Sequence, residues 1–306
     1  MSTGTGRHGA EPIGGNLQIR KRSRIRWTPI LFLLPSVIVF IVFKYYLIYS
    51  AFHISLFNYN IVHPPGRFVG LGNYLVFLKS STFWVAMKNT MIMFLLSVAV
   101  TFWVPIVQAL FLSQIRRANA FFRVMYQIPA VLPVVAGALL WKWMYNPDRG
   151  LFNYLLGKVG LGPYGWLNDP AMTKFAIVLP GFFASGGIGV LLYYAAIRSI
   201  PAELFESAKI DGCGPWKRLF FIVMPHIRFV ILIQFVSFMS GALLAFDNIY
   251  IMTQGGPADA SLVVSLLIQR SAFEQANFGM SAALSFFMFV VIAILTTIQF
   301  KLEKEQ

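Results

Sequence analysis

Acidic residues are scarce in this chain: Asp and Glu together number 11 in 306 residues, and charged residues of both signs make up only 12%. A soluble domain carries roughly a quarter of its residues as charges, so this sequence cannot coat itself for water. Cysteine is nearly absent too. The single Cys213 excludes an internal disulfide framework and a cysteine-based metal cluster. His53, His63 and His226 are scattered, and no His-x-x-x-His pair occurs, so no metal-ligand spacing is present. The chain contains no Gly-x-x-x-x-Gly-Lys-Ser/Thr phosphate loop, so it carries no nucleotide site of that kind. It offers no His-Glu-x-x-His motif or intramembrane carboxylate pair for a membrane enzyme, and no ion-coupling carboxylates or inverted repeat for a secondary transporter. No interval of repeated sequence suggests a solenoid. Nor is there a signal-peptide cleavage site after the first apolar run, which is therefore expected to remain as an anchor.

Apolar residues fill the space that charge leaves. Hydrophobic residues make up 58% of the chain, with 30 Phe, and the mean hydropathy is +0.69. A helix needs ~20 predominantly apolar residues to span the hydrocarbon core. Six stretches meet that length: 29–52, 90–112, 121–145, 172–197, 229–252 and 280–300. The fold expected is an all-α polytopic membrane protein with six transmembrane helices, in which a polar tail (1–28) precedes a membrane domain (29–300) and a short tail (301–306) follows it.

The positive charge is a topology signal before it is anything else. Placing the N-terminus in the cytoplasm puts six Lys and Arg in residues 1–28, three around Arg116, five in 198–228 and two at the C-terminus, sixteen of the 25. Lys and Arg collect on cytoplasmic loops, so the chain is oriented with both termini inside. The net charge of +14 is accounted for largely without nucleic acid. The longer non-cytoplasmic loop near 53–88 reads as turns and short amphipathic elements, forming an outward cap.

The loop 198–228 interrupts this pattern with two short helical phrases hinged on Gly212 and Gly214. Ser199 suits an N-cap, Pro201 a first turn, Glu203 and Glu206 the positive end of the helix dipole, and Gly212 a stop. Pro215 opens the second phrase, and Pro225 is expected to interrupt it at the membrane. Small Ala208 and Gly212 would allow close approach of another protein. A surface hairpin that only joins two spans is the alternative from pattern alone.

Glu206-Ser207-Ala208, then Asp211-Gly212, then a hydrophobic run ending at Pro225 resembles the cytoplasmic EAA loop of permease subunits of binding-protein-dependent ABC importers, with Ser207 where Ala is common. Phe68 to Tyr74 (FVGLGNY), Asn89-Thr90, Ile128 to Pro133 (IPAVLP), Gly150 to Asn153 (GLFN), Trp166 to Pro170 (WLNDP) and Asp247 to Pro257 (DNIYIMTQGGP) resemble the carbohydrate-uptake branch, on the side of the maltose-type F subunit. The resemblance runs from about Thr28 to the C-terminus. It implies the type I ABC importer permease fold in a bacterial or archaeal cytoplasmic membrane, with 198–228 as a cytoplasmic coupling-helix loop on which Glu206, Ser207, Ala208, Asp211, Gly212 and Pro225 engage the ATPase. It further implies a second, G-like permease, two copies of the ABC ATPase, an extracytoplasmic solute-binding protein, and a sugar or oligosaccharide substrate. No cofactor is expected in this chain, with ATP and Mg held on the ATPase. A non-sugar polar solute such as a glycerol-phosphate compound is the alternative.

Residues for the substrate pathway are chosen by chemistry. Ser185 and Ser237 could hydrogen-bond a sugar hydroxyl or bond back to their own helices. Phe182 and Phe238 could stack on a sugar ring or pack. Gly241 leaves room, and Asp247 with Asn248 stands for solute contact or for a helix-terminal role near the membrane surface. Gly186, Gly187 and Gly189 are expected to form a helix-packing face.

Overall fold

The computed structural model describes residues 27–60, 66–115, 117 and 119–304. The basic cluster Arg20 to Arg26, His63 and Arg116 lie outside them. The chain divides into two units, residues 1–47 and 48–306.

In the first unit, α1 (Trp27–Phe40) runs into a π-helical turn, Ile41–Tyr45. The large apolar side chains from Leu31 to Phe43 are exposed, and a helix apolar on all sides has no stable place in water. Pro35 lies inside α1 without ending it.

The second unit begins within α2 (Tyr46–Ser55), followed by a hairpin of β1 (Phe57–Asn58) and β2 (Arg67–Phe68), then α3 (Gly72–Lys79). These are the short elements expected in the 53–88 loop. Asn73 Nδ2 ties them down by donating to the carbonyls of Ser55 (2.7 Å) and Phe57 (2.9 Å). α4 (Ser81–Ser97), a π turn at Val98–Phe102 and α5 (Val104–Gln114) form one helical stretch of 34 residues. At ~1.5 Å per residue it exceeds a ~30 Å hydrocarbon core, and it starts at Ser81, ahead of the expected Thr90.

The third and fourth apolar stretches are bent. α6 (Asn119–Val131) and α7 (Val134–Met144) meet at 90°, and α9 (Thr173–Ala184) and α10 (Ile188–Arg198) meet at 53°. Pro133 accounts for the first break, because its ring disfavours α geometry at Leu132. Gly187, at φ +86°, accounts for the second. Among the described residues, four helical stretches are long and apolar enough to cross a membrane, and up to six if each bent pair is one span. Between α7 and α9, α8 (Leu151–Gly157) lies in a loop organised by Asn153. Its Nδ2 donates to the Pro147 and Tyr164 carbonyls, while its Oδ1 accepts from the Tyr164 amide and Trp166 Nε1.

α11 (Ala202–Ile210) and α12 (Pro215–Arg218) occupy the loop after α10. A π turn, Leu219–Val223, then leads into α13 (Met224–Leu243), followed by α14 (Asp247–Met252), α15 (Val264–Gln269), another π turn at Arg270–Glu274, and α16 (Phe278–Lys304). Three apolar clusters hold this unit together. One is centred on α4, α15 and α16 and includes Phe83, Leu262 and Met288; another joins α5, α10 and the start of α13 through Ile106, Tyr193 and Ile227; the third packs Tyr145 with Ala176 and Met252.

Candidate functional site

Two regions at opposite ends of the α9–α10 and α13 spans bear on function. At one end lies the loop 198–228. Ser199 closes α10 and does not cap α11: its hydroxyl donates to the Ala196 carbonyl at 2.8 Å, and Pro201 occupies the cap position. α11 stops because Gly212 takes φ +70°, the amide of Cys213 donates to the Ala208 carbonyl (2.8 Å), and the amide of Gly212 donates to Lys209 (3.2 Å). This pairing is the Schellman arrangement that favours glycine at the left-handed position.

Of the nine residues of α11, only Phe205 and Ala208 turn inward. Ala208, 8% exposed, is covered by its own chain, so its small size serves the seating of the helix. Glu206, Ser207, Asp211 and Gly212 are exposed, and a Cβ at Gly212 would meet nothing within 4 Å. Ile210 and Trp216 present 86% and 72% of their surfaces. Pro225 does not interrupt the second phrase, since helix runs from Pro215 through Leu243. The π turn immediately before it displaces the carbonyl that a proline ring meets four residues back. The same device precedes Pro105.

The pathway residues fall on two faces. On α9, Phe182 is exposed, and Ser185 bonds back to the Gly181 carbonyl. On α13, Ser237 donates to the Ile233 carbonyl (3.3 Å), and Phe238 meets Phe102 edge-on with ring centroids 5.2 Å apart. Both serines thus follow the back-bonded alternative. The π turn at 98–102 bridges the faces: Phe102 touches Phe238, and the Thr101 side chain lies where a Cβ on Gly181 would stand, 2.8 Å away. No hydrogen bond or ring contact among the described residues joins Phe182 or Ser185 to Ser237, Phe238, Gly241, Asp247 or Asn248. Ile233, Ser237, Gly241 and Leu244 form an exposed stripe along α13. Asp247 is exposed at the start of α14, and Asn248 is half-buried. Gly186 and Gly189 are packing positions, as expected: their added Cβ atoms would approach Tyr126 O at 1.8 Å and Gln234 Nε2 at 3.0 Å.

At the other end, two phrases far apart in sequence meet. Buried Asn89 donates through Nδ2 to the carbonyls of Asp259 (2.8 Å) and Leu262 (2.9 Å), and Thr90 Oγ1 accepts the Val264 amide (3.1 Å). Arg270 Nη2 reaches the Gln254 carbonyl at 2.7 Å, and Ser261 bonds both Gly256 O (2.6 Å) and Thr253 Oγ1 (2.8 Å). Gln254, Ala258 and Asp259 all carry positive φ, each at a cost of ~1–3 kcal/mol that surrounding structure must offset. The turn 253–262 is therefore held from α4 and from the π turn at 270–274. Reading by residue type missed this clamp; the signal was a buried amide and hydroxyl adjacent in an apolar helix.

Asn89→Leu, close in size but without a donor, removes the side-chain bond to Leu262 O and leaves the Asp259 carbonyl with the Leu262 amide alone. At ~1–3 kcal/mol for each buried group, thermal unfolding in detergent should shift down, and limited proteolysis should newly cut the 253–262 turn.

Residues 109–305 match the family described as binding-protein-dependent transport system inner membrane component. A probable ABC transporter permease protein of Pyrococcus horikoshii is 33% identical over 258 residues, covering 84% of this chain and 88% of its own. The trehalose/maltose transport system permease protein MalF of Thermococcus litoralis is 31% identical over 281 residues, covering 92% and 94% respectively. A chain in the crystal structure of a bacterial ABC transporter involved in the import of the acidic polysaccharide alginate has the same fold, with a TM-score of 0.79 at 24% identity over 91% of this chain and 96% of that one.

Proposed function

The chain belongs to the family of binding-protein-dependent transport system inner membrane components, and on that premise we propose that it is the F-like permease subunit of an ATP-driven importer, passing inward a sugar or oligosaccharide delivered by an extracytoplasmic solute-binding protein. The observation that carries this reading is α11, a nine-residue helix seated through Phe205 and Ala208 alone, with its remaining face and the Gly212 turn open. A loop used only as a connector has no need to present Ile210 at the end of α11 and Trp216 on α12; a loop whose helices dock in a groove buries such side chains on its partner. The trehalose/maltose relative supports the substrate class.

One chain offers one such loop, and an ATP machine with two sites needs two. A second, G-like permease therefore pairs with this one, each docking one copy of the ATPase, and ATP with Mg resides on those ATPases. Both termini and the loop 198–228 lie in the cytoplasm on this reading, which the Lys and Arg bias supports. The α13 stripe containing Ser237 and Gly241 faces the path or the second permease.

The test is copurification from the native host, followed by reconstitution in vesicles. The expected complex contains this chain, a distinct permease and an ATPase, and its ATP hydrolysis rises on adding the sugar-loaded binding protein. Full transport by this polypeptide with an ATPase alone overturns the heteromeric assembly, and transport driven by an ion gradient without ATP overturns the importer reading.

A further inference from the structure

At the end of the unit opposite loop 198–228 there is a cavity of about 400 Å³ lined by Lys142, Tyr145, Asn146, Asn168 and Thr253, with Leu167, Met252 and Pro257 among its apolar surfaces. Its walls come from three separate segments: the end of α7, the loop after α8, and the turn 253–262 whose clamp to α4 is described above. We propose that this cavity is a carbohydrate subsite at the extracytoplasmic mouth, which takes one or two sugar rings between release from the binding protein and entry to the membrane path.

The chemistry is that of polyol recognition. A sugar ring offers vicinal hydroxyls, each able to donate and accept, and a C–H face; a matching site needs amides and hydroxyls over an apolar floor. Asn168 is exposed, and its side-chain amide makes no hydrogen bond among the described residues. Asn146 uses only Oδ1, which accepts the Asp148 (3.0 Å) and Arg149 (2.9 Å) amides, and so leaves Nδ2 as a donor. Lys142 is held at the rim by its own donation to the Ile251 carbonyl at 3.1 Å.

Tyr145 supplies an independent observation. It is 1% exposed, lines the cavity, packs against Trp141, Phe152 and Trp166, and its hydroxyl has no partner among the described residues. A buried hydroxyl without a hydrogen bond is unfavourable by ~1–3 kcal/mol, and the residue that carries it lines the cavity wall. Thr253 joins the cavity to the clamped turn, since its hydroxyl is bonded to Ile249 O and Ser261 Oγ. The walls are thus set before a ligand arrives, which reduces the ordering that binding must impose.

This inference rests on the sugar-importer reading, and its test separates the two. The purified importer complex without its binding protein is examined by saturation-transfer-difference NMR with maltose, trehalose and glycerol 3-phosphate as probes. Sugar uptake by the complete system is measured in parallel. Asn168→Leu should weaken the sugar signal about threefold to tenfold, the size of one lost hydrogen bond, whereas Asn168→Gln should retain most of it and Thr297→Ala, at an α16 hydroxyl bonded back to the Ala293 carbonyl, should leave it unchanged. Yield and basal ATPase activity should match the parent in all three. If maltose and trehalose signals are absent or indifferent to Asn168→Leu while sugar uptake continues, the subsite is wrong and the importer reading stands. If the complete system takes up glycerol 3-phosphate and no sugar, both fall.

Discussion

Gly212→Trp is expected to abolish uptake while membrane insertion stays normal. Gly212 stands at φ +70°, and a Cβ there would meet nothing within 4 Å of its own chain. Within this subunit the substitution therefore adds only the left-handed backbone penalty, about 1–2 kcal/mol for an L-residue, confined to an exposed turn. The larger effect is expected between subunits, where an indole would stand in the face of α11 proposed to dock, and overfilled contacts are unfavourable. Gly212→Asn separates the two contributions, because Asn tolerates the left-handed conformation and adds little bulk; it should keep most uptake. Glu206→Ala should leave the fold intact, since a carboxylate in this position contributes only ~0.3–1 kcal/mol to its helix, and any large loss would come from the partner. Insertion, ATPase copurification and uptake are measured separately for each variant. Wild-type transport by Gly212→Trp would make loop 198–228 a connector and nothing more.

Gly186→Ala should prevent the second unit from assembling. The added Cβ would lie 1.8 Å from the Tyr126 carbonyl oxygen and 2.9 Å from its carbon, both backbone atoms that no rotamer change can move. Relief requires α6 to shift away from the α9–α10 bend, which also removes the Gly187 amide bond to Tyr126 O (3.2 Å) and the Gln127 Nε2 bond to Gly187 O (2.9 Å). Ordinary overpacking is unfavourable by about 1–3 kcal/mol, and two lost hydrogen bonds add to that. The expected result is loss of the monodisperse peak in detergent chromatography. Gly241→Ala is the matched control, an open position on α13 with nothing within 4 Å of its added Cβ. Equal behaviour of the two variants would show that the bend does not depend on this contact.

Local chemistry was legible in the residues. Length and apolarity located six membrane stretches; Gly212 announced the end of α11 because only glycine adopts positive φ freely; Pro215 announced the start of α12. Glycines 186 and 189 were legible as packing positions because small side chains let membrane helices approach. The family was legible as well, since its phrases keep their order along the chain. Prolines were read less well: Pro133 marks a 90° bend within a stretch long enough for one span, while Pro225 leaves its helix intact behind a π turn. A proline announces that a hydrogen bond is missing, and only the neighbouring backbone decides whether the chain bends or bulges in response.

Ser199 was likewise misplaced, because a serine between two helices can close one or open the other, and the choice depends on where α10 ends. What required the tertiary structure was every relation between distant segments. Asn89 and Thr90 are tied to the turn 253–262 and the start of α15 by hydrogen bonds spanning more than 170 residues of chain, and Tyr145, Asn168 and Thr253 line one cavity from three segments. Apolar periodicity selects which residues leave water without naming their partners, because the hydrophobic effect has no direction. Partners are chosen by close packing and by the requirement that buried polar groups find each other, and those conditions exist only once the helices are side by side.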